Sequence, residues 1–458
     1  MKKYDVVIIG AGPAGLFAAD ELARRSKCKI ALIEKGLDLP ERIAVRAGDK
    51  HSPEVRSVML EGFGGAGAFC DGKLTLTTEV GGHLHELVGR SRAEQLIQLS
   101  DQRWQQFGAP ATVHGANSEV VADIAHRAIL CGMKLVTVPL RHIGTDHTPQ
   151  VLGEVRQALT DQVDIFTQTT ATDLVVENKQ VRGVVLEDGN QLTATYVIAA
   201  PGRSGSSWLR EQAIHLGLHT ESGPVDLGVR VEVPAAVVSE LTDSLFEFKL
   251  LYWSPTFDNL VRTFCVCPHG QVVTVQTDDV ITVNGHSYRD KPTDNTNFAL
   301  LVTSRFTEPF DDPIAYGEYI ARLANLLGEG VLVQRLGDLR WGRRSTSHRI
   351  SNSIVTPTLP EATPGDLSYV LPHRHLFTIL EMFDALEQLV PGVGNPHTLL
   401  YGVEVKLYSS RLKLTPDLET EVTGLYACGD GAGLTRGLMQ ASASGIAAAQ
   451  AIQKHLNE

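Results

Sequence analysis

The sequence predicts an α/β fold with two domains, the first containing a parallel sheet and the second an α+β domain built on a mainly antiparallel sheet. Three observations support this prediction. A strand, a glycine turn and a helix open the chain, and a second glycine-rich turn followed by an alanine-rich helix lies near its other end. Between them, strand-like runs outnumber helices. A length of 458 residues also exceeds what one hydrophobic core ordinarily supports.

The composition excludes several classes of protein. Hydrophobic residues make up 43% of the chain and charged residues 21%, as is typical of a globular protein. The net charge of −12 argues against nonspecific nucleic-acid binding, which needs a basic surface. Six cysteines in so long a chain indicate thiols in a reducing compartment. No targeting segment and no apolar run of roughly 18 residues is visible, so we expect a cytoplasmic protein without a membrane span.

The start of the chain has the pattern of a dinucleotide-binding unit. The β-branched run from Tyr4 to Ile9 predicts a buried parallel strand, and apolar residues at helical spacing from Ala14 to Arg25 predict a helix. A second buried strand is predicted from Lys29 to Glu34. The turn Gly10-Ala11-Gly12-Pro13-Ala14-Gly15 lies between the first strand and the helix. This order of elements predicts a Rossmann-type domain.

Each glycine of this turn has a separate physical task. We expect Gly10 to make the tight turn, Gly12 to let the backbone approach a pyrophosphate, and Gly15 to let the helix pack closely on the strand. The helix N-terminus favours the phosphate charge. Glu34 ends the second strand, where a carboxylate accepts hydrogen bonds from a ribose diol.

A second glycine-rich segment distinguishes FAD from NAD. The segment from Gly424 to Gly433 contains a predicted strand, and an alanine-rich helix is predicted from Ala441 to His455. Here the chain resembles FAD enzymes of the glutathione-reductase type. The resemblance implies that Asp430 binds the ribityl chain of FAD and that Met439 and Gln440 lie near the flavin O2.

A third element supports the same fold. A strand predicted from Thr195 to Ala200 leads into the small-residue turn from Pro201 to Gly205, which we expect to return the chain to FAD. A hairpin with its turn at Asp188-Gly189 precedes it, so a three-stranded insertion is expected. The predicted domains are a discontinuous FAD-binding domain at 1–90, 151–217 and 397–458, a helical connection at 91–150, and a substrate domain at 218–396.

The predicted substrate domain contains alternating strand-like runs and two amphipathic helices that would cover the sheet. Its strands are predicted at Gly228–Val233, Thr263–Val266, Gln271–Gln276 and Phe298–Thr303, and its helices at Ile314–Leu327 and Leu376–Leu389.

Several further segments resemble one family, the bacterial FAD-dependent dehydrogenases usually labelled uncharacterised. The segments are Gly64–Leu74 with its Ala-Phe-Cys-Asp-Gly-Lys-Leu motif, Thr263–Pro268 with Cys-Val-Cys-Pro, Val283–Tyr288, Gly402-Val403-Glu404, and Ser409-Ser410-Arg411. The resemblance runs from the first strand to the last helix and implies FAD and a two-domain fold, but no substrate. The chain departs from the family pattern at Cys70, at Gly429-Asp430-Gly431 and at Leu434-Thr435-Arg436-Gly437.

The candidate site residues fall into a cofactor set and a catalytic set. The expected FAD-binding residues are Gly10, Gly12, Pro13, Ala14, Gly15, Glu34, Lys35, Gly65, Gly67, Ala171, Ala200, Gly202, Gly429, Asp430, Met439 and Gln440. The candidate catalytic residues are Lys73, Cys70 and Arg344. Lys73 either contacts FAD while Asp71 shapes the turn, or stabilises negative charge on the reduced flavin. Cys70 is either a redox thiol or a small residue packed under the flavin.

Three clusters leave alternatives open. The basic run of Arg335, Arg340, Arg343, Arg344 and Arg349 is either a solvated face or an anion pocket for a carboxylate-bearing substrate. Cys265, Cys267 and His269 alternate along one strand, which favours core packing over a metal site, and no metal is expected. His373, Arg374 and His375 are weaker candidates for proton transfer.

The sequence favours an FAD-dependent oxidoreductase that transfers a hydride between flavin and a small organic substrate, which is anionic if the arginine run forms an anion pocket. A second dinucleotide fingerprint is absent, so NAD(P)H or another electron donor or acceptor is expected to bind only transiently. Two alternatives remain at this stage. One is a flavin monooxygenase-like enzyme, which Ala200–Gly205 loosely resembles, and the other is a non-catalytic flavin-binding subunit or redox sensor.

Overall fold

The structure is a computed structural model that describes residues 2–47, 53–115, 119–221, 223–277, 280–288, 290–306, 310, 312–407 and 410–456. The chain divides into two compact units. Unit 1 comprises Met1–Thr112, Leu140–Gly223 and Ser409–Glu458, and unit 2 comprises Val113–Pro139 and Pro224–Tyr408. Ser409 of the family-specific segments lies outside the described residues.

The strands, in chain order, are β1 Lys2–Ile9, β2 Ile30–Ile33, β3 Lys73–Thr75, β4 Met133–Val136, β5 Leu140–His142, β6 Val163–Phe166, β7 Ala171–Glu177, β8 Gln180–Leu186, β9 Gln191–Ala199, β10 Thr220–Glu221, β11 Val225–Pro234, β12 Lys249–Trp253, β13 Leu260–Cys267, β14 Gln271–Thr277, β15 Val280–His286, β16 Asn295–Ser304, β17 Leu332–Arg335, β18 Thr363–Pro364, β19 Leu399–Leu407, β20 Arg411–Leu412 and β21 Leu425–Ala427.

The helices are α1 Pro13–Arg25, α2 Leu39–Arg46, α3 Pro53–Leu60, α4 Leu84–Val88, α5 Arg90–Gln106, α6 Glu119–Leu130, α7 Thr148–Leu159, α8 Ser206–His215, α9 Ala235–Leu245, α10 Pro313–Gly328, α11 Leu336–Arg340, α12 Ser347–Ser351, α13 His373–Leu389 and α14 Leu438–Leu456. Short 3₁₀ turns lie at Gly65–Phe69, Arg203–Gly205, Leu367–Tyr369 and Asp430–Ala432. Within the described ranges, no helix has both the length and the apolar character needed to cross a membrane.

Unit 1 contains the predicted Rossmann-type sheet. Its parallel strands follow the order β6-β2-β1-β9, and β21 pairs in parallel with the end of β9. β7, β8 and β9 form the expected antiparallel insertion, which shares β9 with the parallel sheet. α1 packs directly on α14, where a Cβ added to Gly445 would strike the carbonyl oxygen of Ala14. The small residues of α14 therefore allow the two helices to approach closely.

Unit 2 is an α+β domain on a mainly antiparallel sheet, as predicted. Its eight strands follow the order β18-β17-β19-β11-β16-β13-β12-β4, and every neighbouring pair is antiparallel except β17 with β18. β14 and β15 form a separate hairpin. The core includes Val231, Phe298 and Leu300 from the sheet and Met382 and Leu386 from α13. The predicted helix that became α13 thus covers the sheet with an apolar face.

The unit boundaries differ from the expected domain boundaries for identifiable reasons. The sequence places 91–150 in a helical connection, but α5 belongs to unit 1, where Trp104 Nε1 donates a hydrogen bond to Ser442 Oγ of α14 at 3.1 Å. β4 forms the edge of the unit 2 sheet, and β5 pairs with β3 in unit 1. β19 lies between β11 and β17, so unit 2 extends to Tyr408 instead of ending at residue 396.

Candidate functional site

The glycine turn between β1 and α1 divides into two packing positions and one open position. Gly10 has a φ of 99°, and a Cβ added there would strike the carbonyl oxygen of Ala200. A Cβ on Gly15 would strike the carbonyl oxygen of Gly10. Around Gly12, an added Cβ would meet only the Cα of Gly65, at 4.0 Å. Gly10 and Gly15 are therefore needed by the fold itself, whereas Gly12 leaves space in front of α1.

The N-terminus of α1 is suited to an anion. Gly12 is the N-cap and makes no side-chain capping hydrogen bond, Pro13 follows, and the first turn contains no acidic residue. The exposed N–H groups and the helix dipole favour a negatively charged ligand there. Gly65 and Gly67 of the 3₁₀ turn lie beside this end, because a Cβ on Gly65 would be 3.1 Å from Gly12 Cα and one on Gly67 would be 3.2 Å from Pro13 Cγ. These residues fit a pyrophosphate.

Glu34 organises the loops around the turn. Its side chain is buried; Oε2 accepts the N–H of Ala11 at 2.9 Å, and Oε1 accepts the N–H groups of Gly36 at 2.9 Å and Gly62 at 3.0 Å. A carboxylate offers about four acceptor positions, so one remains for a ribose hydroxyl. The sequence predicts the ribose contact but not the bracing of three backbone segments. Lys35, the next residue, forms an ion pair with Glu61 at 2.6 Å.

Arg42 is a buried residue near the turn that sequence reasoning missed. Its guanidinium donates hydrogen bonds to the carbonyl oxygens of Val58 at 3.0 Å and Gly65 at 3.1 Å, and also to that of Phe63. Burial lowers the pKa of Arg42 to about 10, partly offset by the charge of Glu34. Arg42 therefore holds the segment before the Gly65–Phe69 turn in place. No motif identifies it, because its partners are backbone atoms.

The ends of three parallel strands meet at one edge of the unit 1 sheet. Gly10 follows β1, Ala200 and Gly202 follow β9, and Gly429-Asp430 follows β21. A Cβ on Gly431 would lie 2.6 Å from the carbonyl oxygen of Gly202, so the two later loops are in close contact. Ligands of open α/β sheets bind outside the carboxyl ends of the strands. Predicted FAD residues from three distant parts of the chain are thus brought together.

Asp430 is held in a defined position at this edge. Its Oδ1 accepts a hydrogen bond from Thr435 Oγ1 at 2.8 Å, and its Oδ2 lies 3.9 Å from Arg203 Nε. Burial raises the pKa of the Asp430 carboxyl, against the opposing effects of Arg203 and Thr435. Thr435 and Arg203 thereby fix the position of the carboxyl, and its ribityl contact stays a prediction. Ala171 is the first residue of β7, two residues after Thr169, whose N–H donates to the carbonyl of Glu34 at 2.9 Å.

Gln440 provides a buried polar group that suits a ligand. It lies in the first turn of α14, next to Met439, and Nε2 donates a hydrogen bond to the carbonyl of Val80 at 2.8 Å. Its Oε1 is buried and accepts no hydrogen bond from any residue that the structure describes. A buried acceptor without a donor is costly, and the N3–H of a flavin pyrimidine is a donor of the required kind. The residues present therefore fit FAD at both its pyrophosphate and its pyrimidine.

Cys70 and Lys73 lie in the turn that follows Gly65–Phe69. Cys70 Sγ donates to the carbonyl of Gly67 at 3.2 Å and accepts the N–H of Gly72 at 3.4 Å. Lys73 Nζ lies 3.0 Å from Asp71 Oδ2, with little of either side chain exposed. Cys70 closes the turn and Asp71 balances the charge of Lys73. Their catalytic roles stay predictions.

The basic run of unit 2 surrounds an acid that belongs to the run itself. Asp338 is fully buried, and its carboxylate accepts hydrogen bonds from Arg343 Nε at 2.8 Å, Arg335 Nε at 3.2 Å and Ser345 Oγ at 2.8 Å. Arg349 Nη1 lies 3.7 Å from the same carboxylate. These arginines lower the pKa of Asp338 against the opposing effect of burial. The positive charge of the run is therefore partly balanced within the chain.

Two arginines of the run lie away from Asp338. Arg340 forms an ion pair with Asp384 at 2.6 Å. Arg344 is exposed, and its guanidinium forms no ion pair within the described part of unit 2. Arg343 also stacks on Trp341, with Cζ 4.4 Å from the ring centroid. Arg344 is thus the member of the run with a charge left for a ligand.

The histidines at the start of α13 differ from each other. His375 is buried, and its Nε2 lies 2.9 Å from Ser304 Oγ. Burial lowers the pKa of His375 to about 4, and the charge of Arg374 adds to the effect. His375 is therefore neutral near pH 7 and has a packing role. His373 lies at the N-terminus of α13 with its ring 5.9 Å from that of Phe377.

The family-specific segments of unit 2 converge on one buried arginine. Arg230 of β11 forms a two-pronged ion pair with Glu404 of β19, at 2.8 and 3.1 Å, and neither side chain is exposed to solvent. It also donates to the carbonyl of Cys265 at 2.7 Å and to Asn284 Oδ1 at 3.0 Å. Gly285 permits this approach, because a Cβ there would lie 2.8 Å from Arg230 Nη1. We call these residues the Arg230 cluster.

Comparison with known proteins identifies matches in both parts of the chain. Residues 224–407 match the family described as FAD-dependent protein, C-terminal domain-like, and residues 4–123 match the family described as pyridine nucleotide-disulphide oxidoreductase. A protein of Clostridium beijerinckii (strain ATCC 51743 / NCIMB 8052), described as an uncharacterized protein, is 26% identical over 475 residues, which covers 97% of this chain and 80% of that protein.

The chain also has a distant likeness to two solved structures, which are by title an oxidase and a dehydrogenase. Glycine oxidase from Bacillus cereus ATCC 14579 is 15% identical, with a TM-score of 0.41 and coverage of 99% of this chain and 95% of that one. L-proline dehydrogenase from P. horikoshii is 13% identical, with a TM-score of 0.43 and coverage of 99% and 94%. The fold assignment rests on the strand order of unit 1 and not on these likenesses.

The family matches confirm three predictions from the sequence. They are the resemblance to FAD-dependent proteins, the FAD cofactor and the assignment as an oxidoreductase. Within unit 1, the residues that would hold FAD stay predictions: Gly12 and Gly65 at the pyrophosphate, Glu34 at the ribose, Asp430 at the ribityl chain and Gln440 at the pyrimidine. When bound, FAD supplies an isoalloxazine ring that accepts or donates a hydride.

Proposed function

We propose that this chain, an FAD-dependent oxidoreductase, acts as a dehydrogenase or reductase that transfers a hydride between its flavin and a small organic substrate. The observation that carries the proposal is the environment of Gln440. Its unsatisfied Oε1 lies in the first turn of α14, and that turn contains no acidic side chain. A helix N-terminus stabilises negative charge, and a flavin reduced by a hydride gains negative charge on its pyrimidine side. This arrangement supports two-electron chemistry.

Anaerobic photoreduction of the purified holoprotein tests the proposal. The flavin is reduced without oxygen, and reoxidation is followed in its absorbance after addition of 2-oxo acids, enals, imines or quinones. We expect at least one class to reoxidise the flavin with saturation. Reoxidation by oxygen alone, with a hydroxylated product, would instead support the monooxygenase-like alternative. Reaction with every acceptor at the rate of free FAD would support the non-catalytic alternative and overturn the proposal.

We further propose that the substrate carries a carboxylate or a similar anion and that Arg344 is its partner. Four arginines of the run have acidic partners at Asp338 or Asp384, which leaves Arg344 as the available charge. An Arg344→Ala variant is expected to raise KM for the substrate roughly tenfold, equal to about 1.4 kcal/mol, with FAD content unchanged. KM and flavin absorbance measured on the same preparation check both expectations.

Arg340→Ala is the matched control, because Arg340 is an exposed arginine of the same run that already has a partner in Asp384. Its KM should stay close to that of the parent. Equal KM values for both variants and the parent, or loss of FAD from Arg344→Ala, would remove the support for an anionic substrate. The run would then be a solvated face.

Reduced nicotinamide is expected to bind weakly. The chain has one G-x-G-x-x-G turn followed by a helix, and the glycine-rich Gly64–Gly67 segment leads into a 3₁₀ turn and not into an α-helix. Without a second helix N-terminus in this pattern, a second pyrophosphate lacks its usual binding site. Calorimetric titration of the holoprotein with NADH and NADPH should show no saturable binding below about 0.1 mM, equal to about −5.5 kcal/mol. A tight one-to-one isotherm would contradict this.

A further inference from the structure

Two cysteines of unit 2, one of them in the Arg230 cluster, lie unusually close together. Cys265 and Cys267 are both on β13, and their sulfur atoms are within 4.8 Å of each other. In a regular strand, residues two apart are separated by about 6.6 Å along the strand axis. Here the pairing register of β13 with β16 shifts between Phe264 and Cys267, and Cys265 has a φ of 48°. This bulge brings the two side chains toward each other.

The backbone of this bulge is held by neighbours that suit it. Arg230 Nη1 donates to the carbonyl oxygen of Cys265 at 2.7 Å. Gly270 allows the chain to turn back over Cys267, because a Cβ on Gly270 would lie 2.7 Å from Cys267 Cβ. A positive φ at a residue other than glycine persists only where its surroundings fix it. The approach of the two thiols is therefore built into the fold of unit 2.

The two thiols differ in access. Cys267 is fully buried, whereas Cys265 is partly exposed. An exposed thiol attacks a sulfur of another molecule, and a buried neighbour resolves the mixed disulfide that forms. Cys265 has the access of an attacking thiol, and Cys267 has the position of a resolving thiol.

A buried cation, Arg230, lies beside the pair. Glu404 forms ion pairs with both Arg230 and Lys406, the latter at 3.0 Å, so these three side chains together carry one net positive charge. Arg230 is near enough to Cys265 and Cys267 for their charges to interact with its own. A nearby cation increases the thiolate fraction of a cysteine, and the thiolate is the nucleophile.

We propose that Cys265 and Cys267 form a redox-active pair that exchanges two electrons with thiols and disulfides. In the exchange, the Cys265 thiolate attacks one sulfur of a disulfide, the bond between the two sulfurs of that disulfide breaks, and the released sulfur leaves as a thiol. Cys267 then attacks Cys265 Sγ, and the second sulfur of the substrate leaves as a thiol. The cysteine pair loses two electrons and two protons, and the substrate disulfide gains both. This activity does not depend on the proposed hydride transfer.

The reverse exchange, in which a disulfide between Cys265 and Cys267 is reduced by thiols, is expected because that disulfide would close a small ring. A disulfide across a single intervening residue, Val266, is constrained by the chain, and constrained disulfides are readily reduced. We therefore expect the closed form to be an oxidant toward dithiols and to open fully in reduced glutathione.

Mass spectrometry of the holoprotein, equilibrated in buffers of reduced and oxidised glutathione, tests the proposal. In excess oxidised glutathione, the parent should become lighter by two hydrogen atoms, with both cysteines in one cross-linked peptide, and the change should reverse in reduced glutathione. Cys267→Ser should instead retain one glutathione on residue 265. Cys265→Ser should show neither change, while Cys131→Ser, a half-buried cysteine of the same unit, should behave as the parent.

The parent measurement is decisive even if a variant fails to fold. If Cys265 and Cys267 stay reduced at every glutathione ratio, or take up glutathione without closing on each other, the pair is not redox-active and the proposal is wrong.

Discussion

A Gly12→Val variant is expected to fold and to purify without FAD. The two outcomes are expected to separate, because a Cβ at Gly12 would meet only Gly65 Cα, at 4.0 Å, so the first carbon of a side chain does not clash with the protein. The same space lies in front of the uncapped N-terminus of α1, where the pyrophosphate is expected. Displacing the phosphates removes several charge-assisted hydrogen bonds, each worth about 1.5–3 kcal/mol. A loss of about 4 kcal/mol weakens binding roughly a thousandfold.

Flavin absorbance and thermal unfolding of the purified variant measure the two outcomes separately. Gly153→Val is the matched control, because Gly153 lies within α7 of the same unit and an added Cβ there meets nothing within 4 Å. It should keep FAD. Gly15→Val should instead lose stability, because its Cβ would strike the carbonyl oxygen of Gly10. Full FAD occupancy in Gly12→Val would show that the pyrophosphate does not lie at this turn.

The glycine turn after β1 was predictable because its signals are local. Gly10 needs a positive φ and Gly15 a close approach within the same short segment, so the spacing of the glycines is sufficient evidence. Glu34 is different. Its position after β2 predicts the ribose contact, but its hydrogen bond to Gly62 joins residues 28 apart, which no local pattern contains. Arg42 leaves no signal at all, since it binds carbonyl oxygens that every residue has.

The arginine run of unit 2 contains an acid that the sequence already shows. Asp338 lies inside the run, three residues after Arg335 and five before Arg343. A single acid among five arginines predicts a local counter-charge as readily as an external anion. Which of the two applies depends on whether the acid is buried among the arginines, and burial is a property of the folded chain. Asp338 is fully buried, so it is the counter-charge. An interpretation of charge runs therefore has to count the acids within them.

The Arg230 cluster could not be assembled from the sequence. Its central ion pair joins residues 174 apart, and the pairing follows from β19 lying beside β11 in the sheet. The sequence shows the family-specific segments one by one, but their contacts with Arg230 depend on the order of the strands in the sheet. The bulge at Cys265 was hidden for a related reason. Alternation of Cys265 and Cys267 predicts a regular strand, whereas the register shift against β16 brings their sulfurs together.

A Glu404→Ala variant is expected to destabilise unit 2 strongly. Glu404 and Arg230 are both shielded from solvent, and both carboxylate oxygens accept hydrogen bonds from the guanidinium. Removing the acid leaves a buried cation whose partner is gone, which typically costs about 3–5 kcal/mol. For a domain of this size, each kcal/mol lowers Tm by about 2–4 °C, so the expected decrease is roughly 10 °C. Scanning calorimetry of the holoprotein measures it.

Two controls distinguish the buried charge from the loss of a side chain. Glu240→Ala removes the acid of the Arg127–Glu240 pair, which lies in unit 2 with both side chains partly exposed, and should cost no more than about 1 kcal/mol. The double variant Arg230→Met with Glu404→Leu removes both charges and keeps much of the volume. It should recover most of the stability, because replacing a whole buried ion pair with apolar residues is often neutral.

If Glu404→Ala and Glu240→Ala have the same Tm, the ion pair between Arg230 and Glu404 does not contribute the expected stability. If instead the double variant is no more stable than Glu404→Ala, the hydrogen bonds from Arg230 to Cys265 and Asn284 hold this region more strongly than the ion pair does.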